Sequence, residues 1–156
     1  MPRMDASHDT FMRLALEEAA KAGADGEVPV GAIVVLDGRV VGTGFNQPIS
    51  TNDPTAHAEV VAMRAAARAV GNYRLTGALL YVTVEPCLMC VGALVHARVA
   101  TLVYGAPEPK SGAVASTVRG GELPGHNHRF DVVSGVLEEE CRGIVQAFFR
   151  DRRSAT

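Results

Sequence analysis

Two short runs about thirty residues apart constrain this chain more than any other feature: His57-Ala58-Glu59 and Pro86-Cys87-Leu88-Met89-Cys90. Two of the chain's 3 cysteines lie in the second run. One histidine and two cysteines supply three ligands for a zinc ion and leave a fourth position open for water. Any fold of this chain must therefore carry the segment near residue 57 against the segment near residue 88. Glu59, two residues past the histidine, then stands as a proton carrier for that water.

The spacing also dictates local structure. Cys87 and Cys90, three apart at the start of a helix, put both sulfurs on one side. A helix N-terminus favours negative charge and so prepares both thiols as thiolates. Two thiolates balance the 2+ charge and a neutral His57 adds none, which keeps the ion acidic enough to bind hydroxide near neutral pH. In mid-helix, residues 57 and 59 would point about 200° apart. Both face one site only if a helix begins near His57, a start that Pro54-Thr55 supports.

A Cys-x-x-Cys pair by itself is equally a redox pair, half of a structural zinc site, or chance. Structural zinc normally takes four protein ligands. The one remaining cysteine, Cys141, falls on the apolar stripe of a helix and reads as a small core residue. The missing fourth ligand turns the balance toward a catalytic zinc, one per subunit. With so few cysteines, two of them paired so closely, a disulfide framework is not indicated, and a cytoplasmic protein holding a metal is the expectation.

Around this pair the chain alternates helix and strand. Asp9 caps an expected helix over residues 9–22, with Phe11, Leu14, Ala15 and Ala19 on one face and Gly23 as its stop. Residues 30–36 are an almost continuous apolar run rich in β-branched residues, expected as a strand buried on both faces. Asp37-Gly38 is a hairpin turn, and residues 40–45 return. Residues 46–54, with two prolines and two asparagines, are expected to be irregular. An alanine-rich helix follows over residues 56–70, then a strand at 79–84. Pro86 suits the first turn of a helix running to about residue 97. A fourth strand is expected at 99–104, a long irregular segment at 105–129, a short strand at 130–134 and a last helix at 137–153. The order predicts one domain over residues 1–156, a three-layer α/β/α sandwich with a mixed sheet.

Hydrophobic content of 47% and 156 residues suffice for a real core. No apolar run approaches the ~18–20 residues of a membrane span, and Met1-Pro2-Arg3-Met4-Asp5 lacks the apolar stretch of a secretory signal. A net charge of −2 argues against nonspecific coating of nucleic acid, yet leaves room for a local basic patch at Arg150, Arg152 and Arg153.

The two half-motifs match the zinc-dependent cytidine deaminase superfamily signature, in which the histidine and both cysteines hold zinc and the glutamate moves protons. Further runs resemble the bacterial tRNA-specific adenosine deaminases: Val28-Pro29-Val30-Gly31, Asn46-Gln47-Pro48-Ile49, Asp53-Pro54-Thr55-Ala56 leading into His57, Asn72-Tyr73-Arg74-Leu75, residues 80–90, Gly125-His126-Asn127-His128-Arg129 and Phe148-Phe149-Arg150. This resemblance spans roughly residues 10–153. It implies a cytidine deaminase-like fold with a five-stranded sheet, a homodimer, and hydrolytic conversion of adenosine to inosine at the wobble position of a tRNA anticodon loop. It also implies that Asn46 contacts the target purine, although an asparagine after a strand is often a turn former. Where many members carry an aspartate after the fourth strand this chain has Glu108, between Pro107 and Pro109. The stop at Thr156 is expected to remove contacts that a longer basic tail would add.

Four weaker signals complete the expectation. Phe149, about 100° round the helix from Phe148, can stack on an unpaired base. Lys110, Ser111 and Arg150 are phosphate contacts or ordinary solvated side chains. The alternatives to the tRNA reaction are deamination of a free purine such as guanine, and a non-catalytic zinc-binding RNA module. Glu59 argues against the latter, because zinc alone needs no non-ligand carboxylate.

Overall fold

The computed structural model describes residues 4–154. Residues 1–3 and residues 155–156, Thr156 among them, lie outside the described residues. Helix α1 (Met4–Ala24) precedes strands β1 (Gly31–Leu36) and β2 (Arg39–Phe45), a single helical turn α2 (Pro48–Thr51) and helix α3 (Ala58–Val70). Strand β3 (Leu79–Val84), helix α4 (Leu88–Ala97), strand β4 (Thr101–Ala106), a short 3-10 turn (Gly120–Glu122), strand β5 (Asp131–Val133) and helix α5 (Glu138–Ser154) complete the order.

The strands form one mixed sheet in the order β2-β1-β3-β4-β5. β1 runs antiparallel to both β2 and β3, whereas β3, β4 and β5 are parallel. Side chains of a strand alternate between faces, and here both faces are covered. Ala32, Val34, Leu80, Val82, Leu102 and Tyr104 face α3 and α4, while Ile33, Val35, Tyr81 and Val103 face α1 and α5. The architecture is thus the three-layer α/β/α sandwich expected from the element order. The β1–β2 turn carries positive φ at both Asp37 (53°) and Gly38 (76°), the conformation that matches the twist of a two-residue hairpin.

Local boundaries differ from the sequence expectation in several places, among them the end of α1, which runs through Gly23 to Ala24, and the start of α3, at Ala58 rather than residue 56. The first helix begins at Met4, not at Asp9, and Asp9 is an exposed interior residue rather than a cap. No proline or glycine interrupts residues 4–10, and the buried His8 ring, 2.8 Å from the Tyr81 hydroxyl, fastens the added turn to the sheet. Residues 46–54 are not wholly irregular, because Pro48 opens the single turn α2, with proline's fixed φ suited to a helix start. Pro86 sits one residue before the cap of α4 rather than in its first turn. β4 starts at Thr101 because Arg98 closes α4 in the left-handed region (φ 62°) and the Val99 amide still bonds back to Leu94.

The close approach of α3 to the sheet fixes where the N-terminus of that helix lies. A Cβ at Gly44 of β2 would lie 2.5 Å from the Ala62 nitrogen and 2.6 Å from the Ala58 carbonyl. Only glycine lets the first turn of α3 rest directly on β2.

Candidate active site

His57 and Cys87 occupy equivalent places. Each is the N-cap of a helix, with extended backbone (φ −72°, ψ 152° at His57; φ −76°, ψ 173° at Cys87). Neither side chain caps its own helix, so the imidazole and the thiol are free to turn toward each other. Because His57 precedes the first turn, Glu59 at the second helical position reaches the same site, and the convergence of two helix N-termini foreseen from the spacing is present.

His57 Nδ1 lies 3.5 Å from Cys87 Sγ and 3.6 Å from Cys90 Sγ. All three candidate ligand atoms fall within 4.8 Å of one another. Tetrahedral zinc with Zn–S ~2.3 Å and Zn–N ~2.0–2.1 Å requires N···S edges of about 3.5–3.6 Å. The side chains therefore fit zinc, with nothing left to rearrange along these edges.

The electrostatics lead to the same result. The Cys87 thiol is drawn down to about 4, first by its hydrogen bond with Cys90 and also by His57, against the opposing effect of burial. Cys90 is pushed up, by that same pairing and by burial. Two thiolates at this separation cannot both ionise unless a cation lies between them, and a divalent ion reverses the sign of the problem. The Cys87 hydrogen bond raises His57, partly opposed by burial. Glu59 is only 4% exposed, and burial pushes its carboxyl above the ordinary range, while contact with Cys90 pulls the other way.

An open cavity of about 210 Å³ lies over this cluster, lined by Asn46, His57, Glu59, Cys87, Glu108, Ser111 and Phe149 together with the apolar Val28, Val30, Val84 and Val145. That is below the ~300–1,000 Å³ typical of drug-sized sites and suits a single base. Asn46 combines its two expected readings. Its Oδ1 accepts from the Ala58 amide at 2.9 Å, which covers the exposed N-terminus of α3, and its side chain lines the cavity.

A second, shallower groove of about 620 Å³ shares Val145 and Phe149 with the cavity and continues past Lys110, Gln146, Arg150 and Arg153. The structure thus gathers Ser111 and Glu108 at the cavity, Lys110 and Arg150 along the groove, and Phe149, 42% exposed, between the two. Phe148 is half-buried and meets Phe149 edge-on at 5.4 Å. Arg152 does not join the basic patch: its guanidinium stacks 4.9 Å from the Phe148 ring and donates to the Gly26 carbonyl.

Other expectations resolve as structure rather than chemistry. Cys141 is fully buried on α5. His128 Nε2 lies 2.7 Å from the Val99 carbonyl and His126 Nε2 2.9 Å from that of Gly120, so each ring is tied to backbone rather than to a metal. Arg98 bonds Asn127, and Arg129 reaches the His126 and His128 carbonyls, so the 125–129 run clamps the loop to the end of α4. Sequence reasoning gave no role to Glu85, which is 3% exposed and lines the cavity. Its signal was an acidic residue placed directly after a strand buried on both faces.

Residues 5–106 match the family described as the cytidine and deoxycytidylate deaminase zinc-binding region. A tRNA-specific adenosine deaminase of Agrobacterium fabrum is 51% identical over 143 residues, which cover 92% of this chain and 94% of the relative. A solved structure from a study of A-to-I editing by tRNA:A34 deaminases at the wobble position of transfer RNA superposes with a TM-score of 0.85 at 51% identity, covering 86% of this chain and 98% of that one. A guanine deaminase structure from Bacillus subtilis gives a TM-score of 0.61 at 41% identity and covers 64% of each chain.

Proposed function

Because this chain belongs to the cytidine and deoxycytidylate deaminase zinc-binding family, and within it to the tRNA-specific adenosine deaminases, we propose that it converts adenosine 34 of tRNA to inosine by hydrolysis. The observation that carries the reading is the His57-Cys87-Cys90 triangle, with both N···S edges of zinc length, beside a buried Glu59 that lines a cavity sized for one base. The basic and aromatic groove that leaves this cavity favours a polynucleotide over a free base, which would call for a closed pocket.

His57 Nδ1 and the sulfurs of Cys87 and Cys90 would hold the zinc. The ion supplies Lewis-acid activation of a water, lowering its pKa toward neutrality. Glu59 takes a proton from the nucleophilic water and delivers it to the purine ring, a task its raised affinity for protons suits. Attack at C6 and expulsion of ammonia exchange the amino group for oxygen, giving inosine. Asn46, with its Oδ1 committed to Ala58, keeps its amide N–H donors for the purine. The valines at 28, 30, 84 and 145 wall the base and exclude water. Phe149 offers a face for a neighbouring unpaired base, and Lys110, Ser111 and Arg150 serve the phosphates.

The remaining parts of the reading are a single deaminase domain over residues 1–156, acting in the cytoplasm as a homodimer. Leu88 (51% exposed) and Met89 (40% exposed) at the head of α4 offer apolar surface beside the site for the second copy. No described helix is long and apolar enough to cross a membrane. The test is incubation of the purified protein with total tRNA and a search for inosine, with guanine and cytidine in parallel. Inosine in tRNA is the expected result. Ammonia from guanine with no inosine in tRNA would overturn the reading in favour of a free-purine deaminase.

A further inference from the structure

Glu85 lies outside the zinc triangle, yet one loop is built around its carboxylate. Oε1 accepts from the Glu108 amide at 3.1 Å and from the Ser116 hydroxyl. Oε2 accepts from the amides of Val114 (3.0 Å), Ala115 (2.9 Å) and Ser116 (3.0 Å). Consecutive backbone amides arranged in this way form a concave nest for an anion. Here the anion is a side chain of the same protein. Gly112 closes the wrap: a Cβ there would lie 2.4 Å from the Glu85 carboxyl carbon, so only glycine admits the chain at that point. Between the two ends of the clamp, the Gly112 amide bonds the Glu108 carbonyl and the Lys110 amide bonds the Glu108 carboxylate, each at 2.8 Å.

The segment held in this way carries Glu108 and Ser111, which line the cavity, and Lys110, which lines the groove. We propose that Glu85 is a positioning residue for the substrate, whose carboxylate folds residues 107–117 into the shape that sets Glu108, Lys110 and Ser111 along the path of an entering RNA strand. The proposal rests on the tRNA reading of the site and adds a residue to it. A carboxylate is required, not merely a polar group. Glutamine keeps one acceptor oxygen but puts an NH2 in place of the other, so either the Glu108 amide or the Val114–Ser116 amides meet a donor instead of an acceptor, and the loop would rearrange. Cys87 and Cys90 belong to the cap and first turn of α4 rather than to this loop, so a substitution that acts through the loop is expected to spare the zinc ligands.

Steady-state kinetics on tRNA, with zinc analysis, should compare the wild type with Glu85→Gln and with Ser116→Ala, the latter a milder removal of one donor at an exposed residue. Glu85→Gln is expected to keep one zinc per chain, raise KM about tenfold and change kcat much less. Ser116→Ala should move KM in the same direction by about threefold. Unchanged KM in Ser116→Ala, or in a folded Glu85→Gln, overturns the proposal. A loss of zinc together with kcat would also overturn it, by placing Glu85 beneath the metal instead of the loop. A wild-type chain that forms no inosine refutes the tRNA reading itself, a result these variants do not mimic.

Discussion

Gly44→Ala tests whether the site depends on how closely α3 rests on β2. Two effects compete. Removing glycine's freedom from the unfolded chain would stabilise by about 0.4–1 kcal/mol. Against this, the new methyl would lie 2.5 Å from the Ala62 nitrogen, 2.6 Å from the Ala58 carbonyl and 2.9 Å from the Val61 Cβ, where ordinary contact begins at 3.4 Å. The neighbours are mostly helix backbone, which cannot swing aside as a side-chain tip can. α3 must therefore retreat by about 0.9 Å, and overpacking of this kind costs about 1–3 kcal/mol. The clash outweighs the entropy, for a net loss of about 1–2 kcal/mol and a fall in Tm of about 2–8 °C. The retreat also carries Ala58, and with it His57 and Glu59, away from Cys87 and Cys90. Misplacement near 1 Å costs about 10²-fold in rate. Thermal unfolding, zinc content and single-turnover deamination should be read together, with Gly143→Ala as the control. A Cβ at Gly143 of α5 meets nothing within 4 Å, so that variant should gain stability. A Gly44→Ala protein with the melting temperature and rate of the wild type would refute the argument that close helix–sheet approach sets the site.

Glu59→Gln should retain zinc while kcat falls by roughly 10²–10⁴-fold, the usual worth of a proton carrier; activity near that of wild type would remove Glu59 from that role. Cys87→Ala should lose the metal and melt at lower temperature, because the ion joins the N-termini of α3 and α4. Chelation should reproduce that fall in the wild type and add little in the variant, and equal sensitivity of the two would contradict a shared cause. Arg150→Ala should weaken tRNA binding and flatten the slope of log affinity against log salt by about 0.7, one phosphate contact on a single strand. An unchanged slope would place Arg150 off the RNA path.

The zinc site was legible because its information is local. The identities of His57, Cys87 and Cys90 select the ion, and the angle between residues 57 and 59 requires a helix to start where α3 starts. The strands were legible for a similar reason: β1, β3 and β4 are buried on both faces and so carry no charged residue. Helix ends were read less well. The start of α1 depends on the His8–Tyr81 contact, between residues 73 apart, and no local propensity records it.

Sequence alone determined the chemistry, because ligand type and spacing are properties of adjacent residues. Tertiary structure decided what surrounds that chemistry. It brought Glu108 and Ser111 from a loop, Val145 and Phe149 from α5 and Val28 from the approach to β1 to one cavity wall. It turned Arg152 onto Phe148 and away from the patch that the run of arginines suggested. It also made Glu85 the centre of a loop that begins about twenty residues later. Periodicity encodes which face of an element is buried, but not which distant segment buries it. Partners of that kind are fixed only when the layers close over the sheet.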